Sequence, residues 1–272
     1  MLKSLSLFSS LLCALLLATP AIAADSGGAD AAISQALQGT WREPANAARD
    51  QYRHPKQTLE FFGLQPNMTV VQLWPSSGWY TEVLAPVLKD HGQLIDAAVP
   101  ARGDNESDNT VHYLAKLKKD PEVYGKVKVV DFAPPAKMDL GPEGSADMVL
   151  TFRNLHNWQA RGQLDKVFQA AFKVLKHGGV FGVEEHRAAA GKTVDQTYDS
   201  GYMPVDYVIQ EAKKAGFILA AQSEINANPK DTKDYPKGVW TLPPTYRLGD
   251  TDRAKYAAIG ESDRMTLKFV KP

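Results

Sequence analysis

The chain predicts an α/β fold: a doubly wound, mostly parallel seven-stranded sheet with a helical lead-in. Short apolar runs bounded by turn residues alternate with stretches whose apolar residues recur every three or four positions, the signature of strands separated by covering helices. Residues 69–98 spell one such unit in full, as strand, Pro75-Ser76-Ser77-Gly78 turn, amphipathic helix and second strand. In an open α/β sheet a turn of this kind faces the ligand crevice. The N–H groups opening the next helix are free there, and Gly78 lets a ligand approach the backbone. The same turn also serves as an ordinary strand-to-helix connection carrying no ligand.

Lys3, the apolar stretch 5–18 and the small-x-small site Ala21-Ile22-Ala23 predict a secretory signal peptide over residues 1–23, cleaved after Ala23. The protein is therefore expected to be periplasmic or secreted. The apolar core is shorter than the ~20 residues a span requires, so no stable membrane anchor is expected after cleavage. Cys13, the only cysteine, lies in that core, and the mature chain is expected to hold neither disulfides nor cysteine metal sites. Residues 24–40 are rich in Ala, Gly, Ser and Asp and read as a mobile leader, with residues 41–272 forming one α/β domain.

Residues 45–63 read as the helical lead-in, broken at His54-Pro55 and stopped at Gly63. Tyr52, Arg53 and His54 at that break are candidates for a lid over a substrate, although a surface loop has the same composition. The run Val70, Val71, Leu73, Trp74 is too short for a helix and reads as a central strand. Over residues 79–88, Tyr80, Val83, Leu84, Val87 and Leu88 predict a helix packed by one face on the sheet. Strands follow at 94–99 and 127–132, separated by a polar loop at 102–109 and a helix to about residue 119. The fourth strand, 147–152, runs into Arg153-Asn154-Leu155-His156-Asn157-Trp158. The helix marked by Leu164, Val167, Phe168, Ala171, Phe172 and Leu175 is expected to stop at His177-Gly178-Gly179. A fifth strand at 180–183 delivers Glu184, Glu185 and His186. A helix at 203–215, strands at 217–223 and 265–270, and a Pro-rich cover at 228–248 complete the chain.

Lys and Arg together number 31, as do Asp and Glu. This balance predicts no general attraction to nucleic acid or to an anionic membrane, and points to a small molecule as partner.

Taken together, these strands and helices resemble the Rossmann-like class I S-adenosylmethionine-dependent methyltransferase fold, from about Thr58 to Pro272. Leu175-Lys176-His177-Gly178-Gly179 is similar to that family's Leu-Lys-Pro-Gly-Gly segment. More narrowly, Asp50-Gln51-Tyr52-Arg53-His54-Pro55, the stretch from Trp74 to Glu82 and Phe152-Arg153-Asn154-Leu155-His156-Asn157-Trp158 resemble a group of secreted bacterial proteins labelled predicted methyltransferases. The resemblance implies methyl transfer to a small-molecule hydroxyl or amine, with S-adenosylmethionine as cofactor.

It also implies a set of site residues. The first turn reads Gln72-Leu73-Trp74-Pro75-Ser76-Ser77-Gly78 where the family has an acidic residue and three glycines, so Gln72 replaces the acid and only Gly78 remains. Ser76 and Ser77 can still hydrogen-bond a carboxylate, Tyr80 follows the turn, and Trp74 can either pack on the sulfonium or belong to the core. The acid that ends strand two and binds the ribose would fall at Ala98, with Asp96 two residues deeper. Asp131 and Phe132 match the adenine-contacting position. Leu155-His156-Asn157-Trp158 is similar to the Leu-His-Asp-Trp of small-molecule O-methyltransferases, making His156 the candidate catalytic base; bracing the following helix is its alternative role.

Arg153 and Asn154 sit at the sheet's carboxyl edge, where Arg153 can hold a carboxylate of cofactor or substrate. Tyr246 and Arg247 are candidates for a substrate wall. Adjacent strand residues face opposite sides, so Glu185 is not expected to join Glu184 and His186 around a metal, and no metal site is assigned. A non-catalytic small-molecule binder on the same fold is the alternative function. An extracytoplasmic hydrolase lacks support, because there is no Gly-x-Ser-x-Gly elbow.

Overall fold

A computed structural model of the protein describes residues 26–101 and 109–272. The expected signal peptide and most of the polar loop after the second strand lie outside the described residues. Described structure opens on helix α1 (Ser26–Leu37), where the sequence reading expected a mobile leader. The correction has a physical basis: Ala29, Ile33 and Ala36 recur at helical spacing and are all buried. Small residues bring α1 close enough to cover a neighbouring helix.

The lead-in consists of α2 (Pro44–Ala47), α3 (Asp50–Arg53) and α4 (Pro55–Phe62). His54, in the left-handed region at φ 41°, breaks α3 from α4, and α4 ends at Gly63 as expected. Then come β1 (Thr69–Leu73), α5 (Thr81–Leu88) and β2 (Gln93–Ala98). Helix α5 is buried on nearly every side rather than on one face, since α1 packs over its outer surface. Pro86 lies inside α5 and has no N–H to give the Glu82 carbonyl four residues back; the Trp41 indole donates to that carbonyl at 2.9 Å instead.

Helices α6 (Asn109–Lys119) and α7 (Pro121–Tyr124) lead to β3 (Lys128–Asp131) and β4 (Ala146–Phe152). After β4 come α8 (Leu155–Gln159), α9 (Leu164–Val174) and β5 (Leu175–His186). Helix α9 ends before the glycines expected to cap it. Leu175 is already extended and pairs with Ala146, and the register shifts before Met148 pairs with Val180. Gly178, at φ 77°, makes the turn inside that shift. The chain finishes with α10 (Val194–Thr197), α11 (Val205–Lys214), β6 (Ile218–Ser223), a short 3-10 helix (Gly238–Thr241), α12 (Arg253–Ile259) and β7 (Arg264–Val270).

The sheet order is β3-β2-β1-β4-β5-β7-β6. Strands β1 to β5 pair in parallel and β7 runs antiparallel between β5 and β6. Alternate residues feed two cores. Val71, Leu73, Val149, Phe181 and Val183 pack with α8, α9 and α11 on one face, and Val70, Leu94, Met148 and Leu150 pack with α1, α4 and α5 on the other. Winding outward from β1 to β3 and restarting at β4 opens a crevice at the carboxyl ends of β1 and β4. Among the described residues no helix is long and apolar enough to cross a membrane.

Ile33 is fully buried in the second core. Ile33→Ala is expected to lower unfolding free energy by about 2–5 kcal/mol, read by urea denaturation. A change near zero would show that α1 contributes no packing energy.

Candidate functional site

Two strand exits build the crevice, and both use backbone that side chains other than glycine rarely adopt. Trp74 (φ 48°) and Ser76 (φ 55°) follow β1, and Arg153 (φ 59°) follows β4. Three hydrogen bonds hold these exits: Trp74 N–H to the Ala97 carbonyl at 2.8 Å, Arg153 N–H to the Glu184 carbonyl at 2.7 Å, and the Asn154 amide to the Leu73 carbonyl at 3.1 Å. Gly78 is at φ 82°, and a Cβ there would lie 2.9 Å from the Tyr113 ring, so this turn requires glycine.

Below the first turn lies a buried polar chain. Thr81 Oγ1 sits 3.0 Å from both Gln72 Oε1 and Asp96 Oδ2, and the Tyr113 hydroxyl donates to the same Asp96 oxygen. Asp96 Oδ1 has no partner among the described residues. Burial lifts the Asp96 carboxyl to about 7, against the hydrogen bonds from Tyr113 and Thr81. Proton counting agrees: one Thr81 hydroxyl proton cannot serve two acceptors, so a proton on Asp96 completes the chain.

Beside the β4 exit, Arg153 and Arg264 both reach Glu184 Oε1, at 2.7 and 3.1 Å, and the Tyr80 hydroxyl donates to Oε2 at 3.0 Å. Arg264 continues to Glu261 at 3.3 Å, which also takes Arg53 Nε at 3.1 Å and Arg49 Nε at 2.6 Å. Burial raises the Glu261 carboxyl, yet the arginines outweigh it and hold the group at about 2. Burial, then Arg153, lowers the Arg53 guanidinium to about 9.

Glu185 points to the opposite face of β5. Its Oε2 accepts the Leu155 N–H at 2.6 Å, opening α8, while Oε1 lies 3.0 Å from His156 Nδ1 and accepts the His186 N–H at 2.8 Å. The carboxylate fixes the His156 tautomer with the proton on Nδ1, leaving Nε2 as an acceptor 3.1 Å from the Asn157 amide. His186 Nδ1 lies 2.6 Å from Ser262 Oγ. His156, Glu185 and His186 offer ligand atoms within 4.8 Å of one another. The expectation that Glu185 stands apart from His186 is thereby corrected: at the strand end its carboxylate curls over the His186 backbone, and it is Glu184 that leaves for the arginines. The nearby guanidinium groups oppose a divalent cation there, and burial together with His156 and Arg153 lowers the His186 pKa.

These groups surround a cavity of about 500 Å³. Gln72, Trp74, Ser76, Ser77 and Tyr80 line it from the β1 side, Arg153, Asn154 and His156 from the β4 side, and Arg53 from the lead-in. The Pro-rich segment covers it through Val239, Trp240 and Pro243 to Thr245.

Other predicted residues are not brought to the cavity. Gly78 shapes the turn from behind. Asp131 is exposed and ion-paired with Lys137, and Phe132 is buried against Trp158. The reason is Trp74: its indole donates to the Phe132 carbonyl at 2.9 Å, reaching across the end of β2 and walling off the end of β3. Tyr52 and His54 also lie off the cavity; the Tyr52 carbonyl accepts from Arg264. Tyr246 stacks under Arg253 at 4.0 Å, and Arg247 acts from outside, 4.7 Å over the Trp240 ring. Sequence reasoning missed Arg49, Asn157, Trp240, Glu261 and Ser262 as lining residues. The charged run Glu261-Ser262-Asp263-Arg264 before β7 was the available signal for two of them.

Neither protein-family models nor curated proteins yield a match to the chain. Solved structures do. A SAM dependent methyltransferase from Aquifex aeolicus superposes with TM-score 0.57 at 14% identity, over 88% of this chain and 98% of that one. The cyclase SpnF gives 0.55 at 18% identity over 81% and 80%. Phosphoethanolamine N-methyltransferase 2 of Haemonchus contortus, in complex with S-adenosyl-L-methionine, gives 0.52 at 16% identity over 81% and 53%. The chain thus has the Rossmann-like fold of S-adenosylmethionine-dependent methyltransferases, as the sequence predicted. A fold alone does not assign an activity.

The raised Asp96 pKa sets a pH dependence. An unfolded aspartate titrates near ~3.9, so this group's contribution to stability is full below that pH and is lost as the pH rises through about 7. Asp96→Asn is expected to lose less stability than the wild type between pH 5 and 9 in thermal unfolding. The gap should change by a few kcal/mol, one pKa unit being worth about 1.4 kcal/mol; parallel profiles would refute the buried proton. Glu184→Gln, which leaves Arg153 and Arg264 short of a charge partner, is expected to destabilise the fold by about 3–5 kcal/mol in urea denaturation.

Proposed function

We propose that the protein is an S-adenosylmethionine-dependent methyltransferase of the periplasm or cell exterior, acting on a hydroxyl or amine of a small molecule with His156 as general base. One observation carries the reading: on a methyltransferase fold, His156 lines the crevice with Nδ1 held by a fully buried carboxylate and Nε2 left as an acceptor that the Asn157 amide occupies.

The residues fit the amino-acid and sulfonium end of the cofactor. Ser76, Ser77 and Asn154 offer hydrogen bonds, Arg153 offers charge, and the Trp74 ring offers a π face. Bound there, the cofactor supplies an electrophilic methyl group. The protein's own part is proton transfer and positioning. An acceptor hydroxyl or amine displacing the Asn157 amide from Nε2 gives its proton to His156, and Glu185 stabilises the imidazolium that forms. Trp240, 5.8 Å from His156 between ring centroids, covers this exchange and excludes water.

A second reading, a non-catalytic binder on the same fold, is favoured by the adenosine end. Strand β2 ends in Ala98 rather than in a carboxylate, Phe132 is buried with its carbonyl on the Trp74 indole, and Asp131 is exposed and paired with Lys137, off the cavity. Calorimetry on residues 24–272 separates the two. Micromolar binding of S-adenosylmethionine or S-adenosylhomocysteine, about −8 kcal/mol, supports the transferase; no binding at millimolar ligand supports the binder. With an acceptor in hand, His156→Ala is expected to lower turnover by roughly 10²–10⁴-fold while cofactor affinity holds.

A further inference from the structure

Among the described residues, the crevice carries more positive charge than its carboxylates neutralise. Of these, Arg49, Arg53, Arg153 and Arg264 share only Glu184 and Glu261 as ion partners. On the described cavity wall the imbalance is sharper, with Arg49, Arg53 and Arg153 facing one carboxylate, Glu261. Glu185 does not redress it, since it turns to the other face of β5 and is spent on His156 and three backbone N–H groups.

Arg53 shows the consequence most clearly. It is 95% buried, with its Nε on Glu261 and its guanidinium 4.6 Å over the Trp79 ring. Its two terminal nitrogens, on the cavity wall, have no hydrogen bond among the described residues. Arg49 likewise has a buried Nη2 without a partner. Arg153 spends Nη1 on Glu184 from a left-handed backbone that aims it into the crevice. Unpaired guanidinium donors are costly to bury, and forked donors from several arginines match the oxygens of a carboxylate or phosphate.

We infer that the crevice binds an anionic group, a carboxylate or phosphate, clasped by Arg49, Arg53 and Arg153. This rests on the same crevice being the ligand site proposed above, and it assigns the small molecule to acids or phosphate esters. The group sits within reach of the loop that carries His156, so the ligand bears its hydroxyl or amine close to the anion. The cofactor's own carboxylate has the same chemistry, and the test distinguishes the two sources.

The probe is inorganic phosphate, titrated into the mature protein at pH 8 and constant ionic strength with potassium chloride as the control, and followed by thermal unfolding and calorimetry. Saturable stabilisation by phosphate beyond the chloride control is expected. Arg53→Gln is expected to weaken phosphate binding at least tenfold, with the melting point of the ligand-free variant measured alongside because the substitution also removes an ion partner of Glu261. Arg49→Gln, at a less buried position, should weaken phosphate in the same direction and serves should Arg53→Gln fail to fold. The inference is overturned if phosphate acts no differently from chloride, or if the folded variants bind it as the wild type does.

Repeating the titration with saturating S-adenosylhomocysteine locates the source. Additive binding assigns the clasp to the acceptor, and mutual exclusion assigns it to the cofactor's carboxylate. Failure of S-adenosylhomocysteine to bind, with phosphate binding intact, would sink the methyltransferase reading and leave the anion site standing.

Discussion

The ion network around Glu184 and Glu261 is the constraint on which the crevice depends. It joins parts of the chain that share no local pattern: Arg49 and Arg53 from the lead-in, Arg153 from the β4 exit, Glu184 on β5, and Glu261 and Arg264 at the entry to β7. Every member is wholly or mostly buried, so a missing partner leaves charge that solvent reaches poorly. Breaking such a network strands charge in a low dielectric, which makes it a rigid frame rather than a surface ornament.

That frame explains how one strand serves two chemistries. The pleat sends Glu184 and Glu185 to opposite faces of β5. Glu184 neutralises guanidinium groups and holds the Tyr80 hydroxyl. Glu185 opens α8 and orients His156. The proposed base and the proposed arginine clasp therefore share a wall without sharing a carboxylate, which keeps the arginines from taking the charge that supports the imidazole.

The first turn departs in a physically consistent way from the acidic, glycine-rich form that the resemblance to methyltransferases implied. Gln72 in place of an acid finds its partner in Thr81, and the chain of hydrogen bonds continues to Tyr113 through Asp96, whose carboxyl burial lifts to about 7. Trp74 fills the side on which β3 would otherwise contribute, held by the Phe132 carbonyl and by Trp158 at 4.8 Å. Gln72, Thr81 and Tyr113 are thus consumed internally beneath the turn. At the arginine end, guanidinium donors are left over among the described residues.

Periodicity and turn residues were enough to read the sheet, its winding and the placement of His156 and Arg153 at the β4 exit, because these patterns record which face of a local segment is buried. They failed for α1, whose alanines look like linker composition until α5 is seen beneath them. They also failed for Asp131 and Phe132, which occupy the expected position in the chain while Asp131 pairs with Lys137 and Phe132 is buried against Trp158, both off the cavity. The clasp was out of reach for a different reason: Arg49 and Glu261 are 212 residues apart, and nothing in either segment records a charge partner so distant. The sequence by itself determined the fold and the edge of the sheet where a ligand would sit. Only the tertiary structure decided which charges meet, and which are left unbalanced at that edge, because burial and pairing of charge act through space and not along the chain.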